Sequence, residues 1–442
     1  SSMTETIDIT PPPAEAASIE PYYAEFNISQ RRTVTESASF SATLGSDVFA
    51  GNKFHIIPLE NDGDNPRAGI IYNNTNSTGG VHCRTAEYNA GSPAITLGTE
   101  GDIQASSTKY FIADIIPLKK DKNSALVIQI DYTTNKDFKV SKVTFPATGA
   151  GAPTVTPTNL GAAVAEFGYA GNAYSAAGLM THCWVEDEED ERVIVAFRQL
   201  AATSDGGSPY RAILLDGDGE VVDAASIASA TSWGSTTNYA CASVMGRDEH
   251  NDAYTYVSAS TEGALTQRMQ IQVSGDTISI LNASDLPVGG QTYGFALQFL
   301  GRGIVALLSA ATTSTNGDMG QYIMSYEGTT FNTIYPGQSP EYRGDDYQYI
   351  PGYSGTKHRF LSMDCRNVEG NYGAFFKGGS DRANVGIGTN NMFYPEPLQL
   401  SASNNTGTAG GSLAADPDNP AILWAVSVGS GNATRVWVVD VS

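Results

Sequence analysis

Gln267-Arg-Met-Gln-Ile-Gln-Val273, Ser274-Gly275-Asp276, Thr277-Ile-Ser-Ile-Leu281: these residues alternate apolar and polar, turn on a glycine, and alternate again. That is the pattern of a half-buried antiparallel hairpin, whose successive side chains point to opposite faces. Two further strands precede it. Tyr239-Ala-Cys-Ala-Ser-Val244 reads as the first, Gly246 to Asp252 as a charged turn, Ala253-Tyr-Thr-Tyr-Val257 as the second, and Ser258 to Leu265 as a polar loop leading into the hairpin.

The unit recurs in both directions at a period of about 50 to 65 residues. Downstream it runs Tyr293 to Leu300, a turn at Gly301-Arg302-Gly303, Ile304 to Leu308, a Ser/Thr/Gly loop, Gln321 to Tyr326 and Thr329 to Ile334. Upstream, first strands fall at Phe54 to Leu59, Tyr110 to Leu118 and Gly178 to Val185. Second strands fall at Ala68 to Tyr72, Leu126 to Tyr132 and Arg192 to Phe197, and outer hairpins at Val81 to Leu97, Phe138 to Val155 and Tyr210 to Val222. A sixth copy spans Tyr347, Phe360 to Cys365 and Tyr372 to Gly388. The last unit, Ser412 to Ala415, Ala421 to Val428 and Arg435 to Val441, stops one strand short. An orphan β-rich segment, residues 32 to 41, lies ahead of the first unit and supplies the missing strand. The expectation is an all-β chain: a single β-propeller of seven blades rather than six or eight, occupying residues 32–442 and closed by its N-terminal strand. Residues 1–31, with Pro11-Pro12-Pro13 and Pro21-Tyr22-Tyr23, form an extended Pro-rich arm ahead of it.

Composition fits that reading. Only 16 % of residues are charged, and no long apolar period near 3.6 appears. A formal charge of −22, from 47 acidic against 25 basic residues, argues against nucleic acid and anionic lipid surfaces as partners. No stretch has the roughly 18 apolar residues of a membrane span, and no basic-then-apolar leader is present, so neither membrane insertion nor a Sec signal is expected. Cys83, Cys183, Cys241 and Cys365 are far apart in the chain. His82 and His182 adjoin two of them on opposite strand faces, so no zinc site is expected and buried, reduced cysteines are.

Charge is unevenly placed. Turns between first and second strands are charged: Glu60 to Asp64, Lys119 to Lys122, Glu186 to Glu191, Arg247 to His250, Lys357 to Arg359 and Asp416 to Asp418. Loops between second and third strands, at the opposite end, are small and nearly uncharged: Asn73 to Gly80, Ala201 to Pro209, Ser258 to Thr266 and Ser309 to Gly320. Such loops suit a surface of many weak hydrogen bonds, with Asn76, Ser77, Ser208, Thr261, Thr313 and Asn316 as candidate binding residues. Asp216-Gly-Asp218-Gly-Glu220 and Asp62-Gly-Asp64 resemble fragments of Ca²⁺ loops, but neither has the spacing of a complete site, and both read as hairpin turns. Glu186 to Glu191 can hold Ca²⁺ at seawater concentrations but reads as a hydrated turn; no other cofactor is expected. No metal site and no catalytic set is assigned. Asp114 and His182 on first strands, and Asp131 and Asp364 on second strands, are the acids and histidine closest to an inner channel, and nothing in the sequence brings any two together.

Hairpins such as Val273-Ser-Gly-Asp-Thr-Ile278, each paired with an apolar second strand like Val193-Ile-Val-Ala-Phe197, resemble the blades of β-propellers in structural proteins of bacteriophage virions, notably tail and fibre components. The likeness covers roughly residues 32 to 442 and is a pattern rather than a signature motif. It implies a non-enzymatic virion protein, tail- or fibre-type or capsid-associated, made in the host cytoplasm. Its arm would dock on other virion proteins and one ring face would meet a host-surface glycan or protein; the acidity suits a marine host. Similar blades occur in secreted bacterial lectins and glycosidases, so an extracellular carbohydrate-binding or glycan-degrading propeller is the alternative.

Overall fold

The computed structural model describes residues 33–41, 54–73, 80–104, 110–131, 138–159, 180–185, 189–198, 210–228, 241–247, 255–262 and 265–287. From 292 to 440 it describes the strands together with Asp416, Asp418 and Asn419. Among the described residues there is no helix; strands form seven separate antiparallel sheets that follow one another along the chain.

Sheet I comprises Phe54–Asp62, Asn65–Asn73, Val81–Asn89, and an outer strand broken into Ala94–Leu97 and Gly101–Gln104. Sheet II is Tyr110–Pro117, Ser124–Asp131, Phe138–Thr144 and Thr154–Asn159; sheet III is Thr181–Trp184, Arg192–Arg198, Tyr210–Asp216 and Val221–Ile227. Sheet IV is Cys241–Arg247, Thr255–Glu262, Leu265–Ser274 and Thr277–Pro287, and sheet V is Thr292–Gly301, Ile304–Ala311, Met319–Glu327 and Thr330–Ser339. Sheet VI is Ile350–Pro351, Phe360–Val368, Asn371–Lys377 and Leu398–Ser401. Sheet VII takes Gly411–Ala415, Ile422–Val428 and Ala433–Asp440 from the C-terminal end of the chain and Thr33–Glu36, with Phe40–Ser41, from the N-terminal end.

The second strands of sheets I, II and III are apolar at consecutive positions because each has a neighbouring sheet on both faces. Val193, Val195 and Phe197 enter a cluster with Leu126, Ile128 and Val140 of sheet II. Ile194 and Ala196, one residue out of phase, enter a cluster with Met269, Ile271 and Val273 of sheet IV. Sheet II divides the same way, Leu126 and Ile128 toward sheet III and Ala125 and Val127 toward sheet I. The outer strand Val221–Ile227 is less enclosed: Val221 packs toward sheet II and Val222 and Ala225 toward sheet IV, but no residue of that strand is fully buried.

Sheets I and II are also locked through one cation. Arg67, on the second strand of sheet I, is fully buried. Its guanidinium donates to the carbonyl oxygens of Glu60, Pro146, Ala147 and Gly149 and to Asn123 Oδ1, binding the third-to-fourth hairpin and first-to-second turn of sheet II. Burial lowers its pKa, and Asp62, Glu87 and Glu60 oppose that. Beside it, Phe145 lies over Gly69, where an added Cβ would fall 2.4 Å from the ring.

Thr33 to Glu36 pair with Asp440 to Trp437, and Phe40 and Ser41 with Thr434 and Ala433. Between the two halves, Ser37 keeps the ladder intact: its N–H donates to Val436 O at 2.9 Å, and its Oγ accepts from Val436 N–H at 3.0 Å. Phe40 is buried in the cluster shared by sheets VII and I, 5.3 Å from the Tyr72 ring.

Several expected boundaries are corrected. Of the expected loop Ser258 to Leu265, Ser258 to Glu262 is strand, paired through Ser260 to Gln267 and Thr261 to Thr266. A partner strand lets small polar residues complete the ladder, which composition alone does not register. The expected turn from Gly246 likewise begins inside Cys241–Arg247, and Ser309 to Ala311 belongs to a strand. In sheet VI the third strand ends at Lys377 and the fourth is Leu398–Ser401, beyond the expected Gly388.

Two outcomes check these contacts. Deleting residues 1 to 45 yields insoluble or strongly destabilised protein, whereas deleting 1 to 25 leaves the melting temperature unchanged; a stable longer deletion would refute the role of the N-terminal strand. Arg67→Met, which strips five acceptors of their donor, lowers the unfolding free energy by about 3–5 kcal/mol in urea titration, and an effect under about 1 kcal/mol contradicts the clamp.

Candidate functional site

Charged turns of sheets I, II, III, IV and VII that lie among the described residues engage their neighbours. Glu191 accepts the backbone N–H groups of Lys119 and Lys120 at 3.0 and 2.8 Å, and Lys120 Nζ donates to Glu189 O. Asn123 Nδ2 donates to Glu60, Lys142 pairs with Asp218 at 2.8 Å and Arg192 with Asp276 at 3.1 Å. Lys122 reaches Asp418 at 2.9 Å, so turns of sheets II and VII converge. The described part of Glu186 to Glu191 is therefore not simply hydrated: Glu191 ties sheet III to sheet II. Asp216 to Glu220 is a hairpin turn, with Asp216 Oδ1 accepting from Asp218 N–H and Glu220 N–H and Gly219 at φ +83°.

Of the candidate binding residues, Asn76, Ser77, Ser208, Thr313 and Asn316 lie outside the described residues, and Thr261 is on a strand. Asp131 and Asp364 lie on second strands, as expected. Cys83 is a buried thiol, pushed up to about 12 by burial and by Asp102 and Glu100; Cys183 is a half-buried thiol that donates to Trp184 O.

Asp114 and His182 meet. His182 opens sheet III and Asp114 lies on the first strand of sheet II, where a register shift between Ile112 and Asp114 re-aims the side chain. Asp114 Oδ1 accepts from Ile115 N–H at 2.9 Å, and Oδ2 sits 2.8 Å from His182 Nδ1. The imidazole packs edge-on to Trp184, whose indole N–H donates to Pro117 O and whose ring carries Lys119 Nζ 5.0 Å from its centroid. A carboxylate on Nδ1 fixes ring orientation and, when Nδ1 holds the proton, leaves Nε2 as the basic nitrogen. His182 is 19 % exposed, so a small polar molecule can reach the ring.

A second constellation, on sheet I, escaped sequence reasoning. His82 lies opposite Tyr72 on one side and Asp102 on the other. The broken outer strand brings Glu100 in beside them. His82 Nδ1 is 2.8 Å from Asp102 Oδ1 and 3.8 Å from Glu100 Oε1. Glu100 Oε2 accepts from the Tyr72 hydroxyl and from Arg84 at 3.2 Å, and Arg84 also donates to Tyr72 Oη and Gly98 O. Burial first, and then Glu100, pushes the Tyr72 phenol far above its ordinary value, so it remains a donor. Cys83 faces the other way, into the cluster shared with sheet II.

No family model and no curated protein matches the sequence. Among solved structures the chain is similar to the crystal structure of the polysaccharide lyase Uly1, with 8 % identity and a TM-score of 0.44 over 92 % of this chain and 98 % of that one. A likeness this distant carries no inference about activity.

One turn at the charged end holds a buried carboxyl. Asp416 is fully buried; its Oδ1 accepts from Asp418 N–H and Asn419 N–H, while Oδ2 has no hydrogen-bond partner among the described residues. Burial pushes the carboxyl up from 3.8 to about 6. The folded chain then holds this proton more tightly than the unfolded chain. The site's contribution to stability is therefore full below about pH 4 and lost as pH rises through 6. Measured against Asp416→Asn by urea unfolding, the wild type gains stability on going from pH 7 to pH 4.5; a pH-independent difference contradicts the assignment.

Proposed function

We propose that the seven sheets are the blades of one β-propeller, and that the chain is a non-enzymatic structural protein of a bacteriophage virion, of tail, fibre or capsid-associated type, that binds a partner through the loop end opposite the charged turns. Ring geometry is supported by the position of sheet VII, whose first strand lies against the first strand of sheet I on one side and strands of sheet VI on the other. Three C-terminal strands completed by an N-terminal one tie the two chain ends together, which suits a protein that must survive outside the cell.

The observation that carries the binding role is the division between the two ends. Glu191, Asp218, Asp276 and Asp418 are engaged in holding neighbouring sheets together. The loops at the other end carry few charges and many small hydrogen-bonding residues, so weak contacts from several blades add on a glycan or a flat protein surface. Residues 1–31 supply attachment to other virion proteins.

A specific observation favours a second reading, a carbohydrate-active propeller: the Asp114–His182 pair beside Trp184 is an oriented imidazole next to an aromatic surface. The two readings part experimentally. The virion reading expects the chain in stoichiometric amounts in purified particles, cell attachment weakened at least about tenfold by Ser77→Trp or Ser208→Trp with an unchanged melting temperature, and no turnover on a panel of algal polysaccharides. Turnover lost in His182→Ala, with the chain absent from particles, establishes the second reading instead.

A further inference from the structure

Two carboxylates and an imidazole converge on sheet I, with His82 Nδ1 hydrogen-bonded to Asp102 Oδ1 at 2.8 Å. The ligand atoms offered by His82, Glu100 and Asp102 all lie within 4.8 Å of one another. Among the described residues Arg84 is the one guanidinium in contact with the group, and it engages Glu100 through Oε2. Glu100 Oε1 is left facing His82 Nδ1, so two negative groups share a small space with a single bound cation.

His82 adds an independent observation. Its side chain is only 9 % exposed, and its Nε2 is buried with no hydrogen-bond partner among the described residues. The backbone closes off that edge of the ring, since a Cβ added at Gly80 would stand 3.0 Å from Nε2. Ligand chemistry is thereby confined to the Nδ1 edge, which faces both acids. Burying an imidazole with one nitrogen unpaired costs free energy that a bond at the other nitrogen offsets.

The support around the donors is of the kind metal sites use. Arg84 and the Tyr72 hydroxyl fix the second oxygen of Glu100, and strand pairing fixes His82 opposite Asp102. The outer strand breaks between Leu97 and Gly101, which lets Glu100 turn inward. One nitrogen and two carboxylate oxygens suit a borderline first-row cation; Ca²⁺ and Mg²⁺ prefer all-oxygen sets.

We infer that His82, Glu100 and Asp102 form a binding site for a divalent transition-metal cation of the Zn²⁺ type, with solvent completing the coordination. The cation bridges the edge strand Gly101–Gln104 to Val81–Asn89 and reinforces the outer face of sheet I where it meets the N-terminal strand.

The test uses the full chain, stripped with EDTA and dialysed against micromolar Zn²⁺, with metal content read by atomic emission and stability by thermal melting. Wild type retains one more equivalent of Zn²⁺ than Asp102→Asn or Glu100→Gln and melts higher with Zn²⁺ than without; affinity in either variant falls at least about tenfold. Both substituted side chains reach solvent, so the variants keep the wild-type far-UV spectrum, and the result does not depend on whether His82→Gln folds. Equal Zn²⁺ content in wild type and Asp102→Asn overturns the site. Retention of Ca²⁺ in place of Zn²⁺ overturns the class of cation.

Discussion

Because Val193, Val195 and Phe197 enter one interface and Ile194 and Ala196 the next, sheet III cannot bury its apolar residues alone. A strand with both faces apolar needs a neighbouring sheet on each side. Sheets I, II and III obey this directly, and the same demand falls on sheet VII, where Trp424 and Val426 pack toward sheet I. The N-terminal strand follows from that requirement. Without it, Ala433–Asp440, with Val436 and Val438 fully buried, would be an unpaired edge.

The same constraint explains where polar groups are found. The interfaces between described sheets are lined mostly by apolar side chains, so charged side chains collect at the strand ends, and the buried guanidinium is heavily coordinated. Arg67 is the case in point: a guanidinium's planar array of donors matches carbonyls presented by two sheets, a task a lysine's single ammonium does not perform. The exposed pairs, Lys142 with Asp218 and Arg192 with Asp276, contribute at most about 1 kcal/mol each and act chiefly by setting how the turns meet.

Both polar constellations away from the turns sit beside irregularities in the ladder. Asp114 is placed by a register shift in sheet II, and Asp102 by one in sheet I next to the broken outer strand. Regular pairing would send these side chains to a fixed face; an extra residue re-aims them. The irregularities thus supply the chemistry that a repeating apolar sheet otherwise lacks.

By itself the sequence determined the all-β class, the recurring four-strand unit and the need for a strand from the N-terminal segment, because side-chain alternation and turn residues are local and period two leaves little choice of face. It also marked Asp114 and His182 as residues to watch. Only the tertiary structure decided that these two, 68 residues apart, touch; that Glu100 and Asp102 gather on His82; and that Arg67 reaches the carbonyls of residues 146–149. Such contacts depend on register between strands and on how one sheet lies against the next, which spacing along a chain does not encode. Thr261 shows the reverse limit: its polar surroundings read as a loop, and only a partner strand made it part of a ladder.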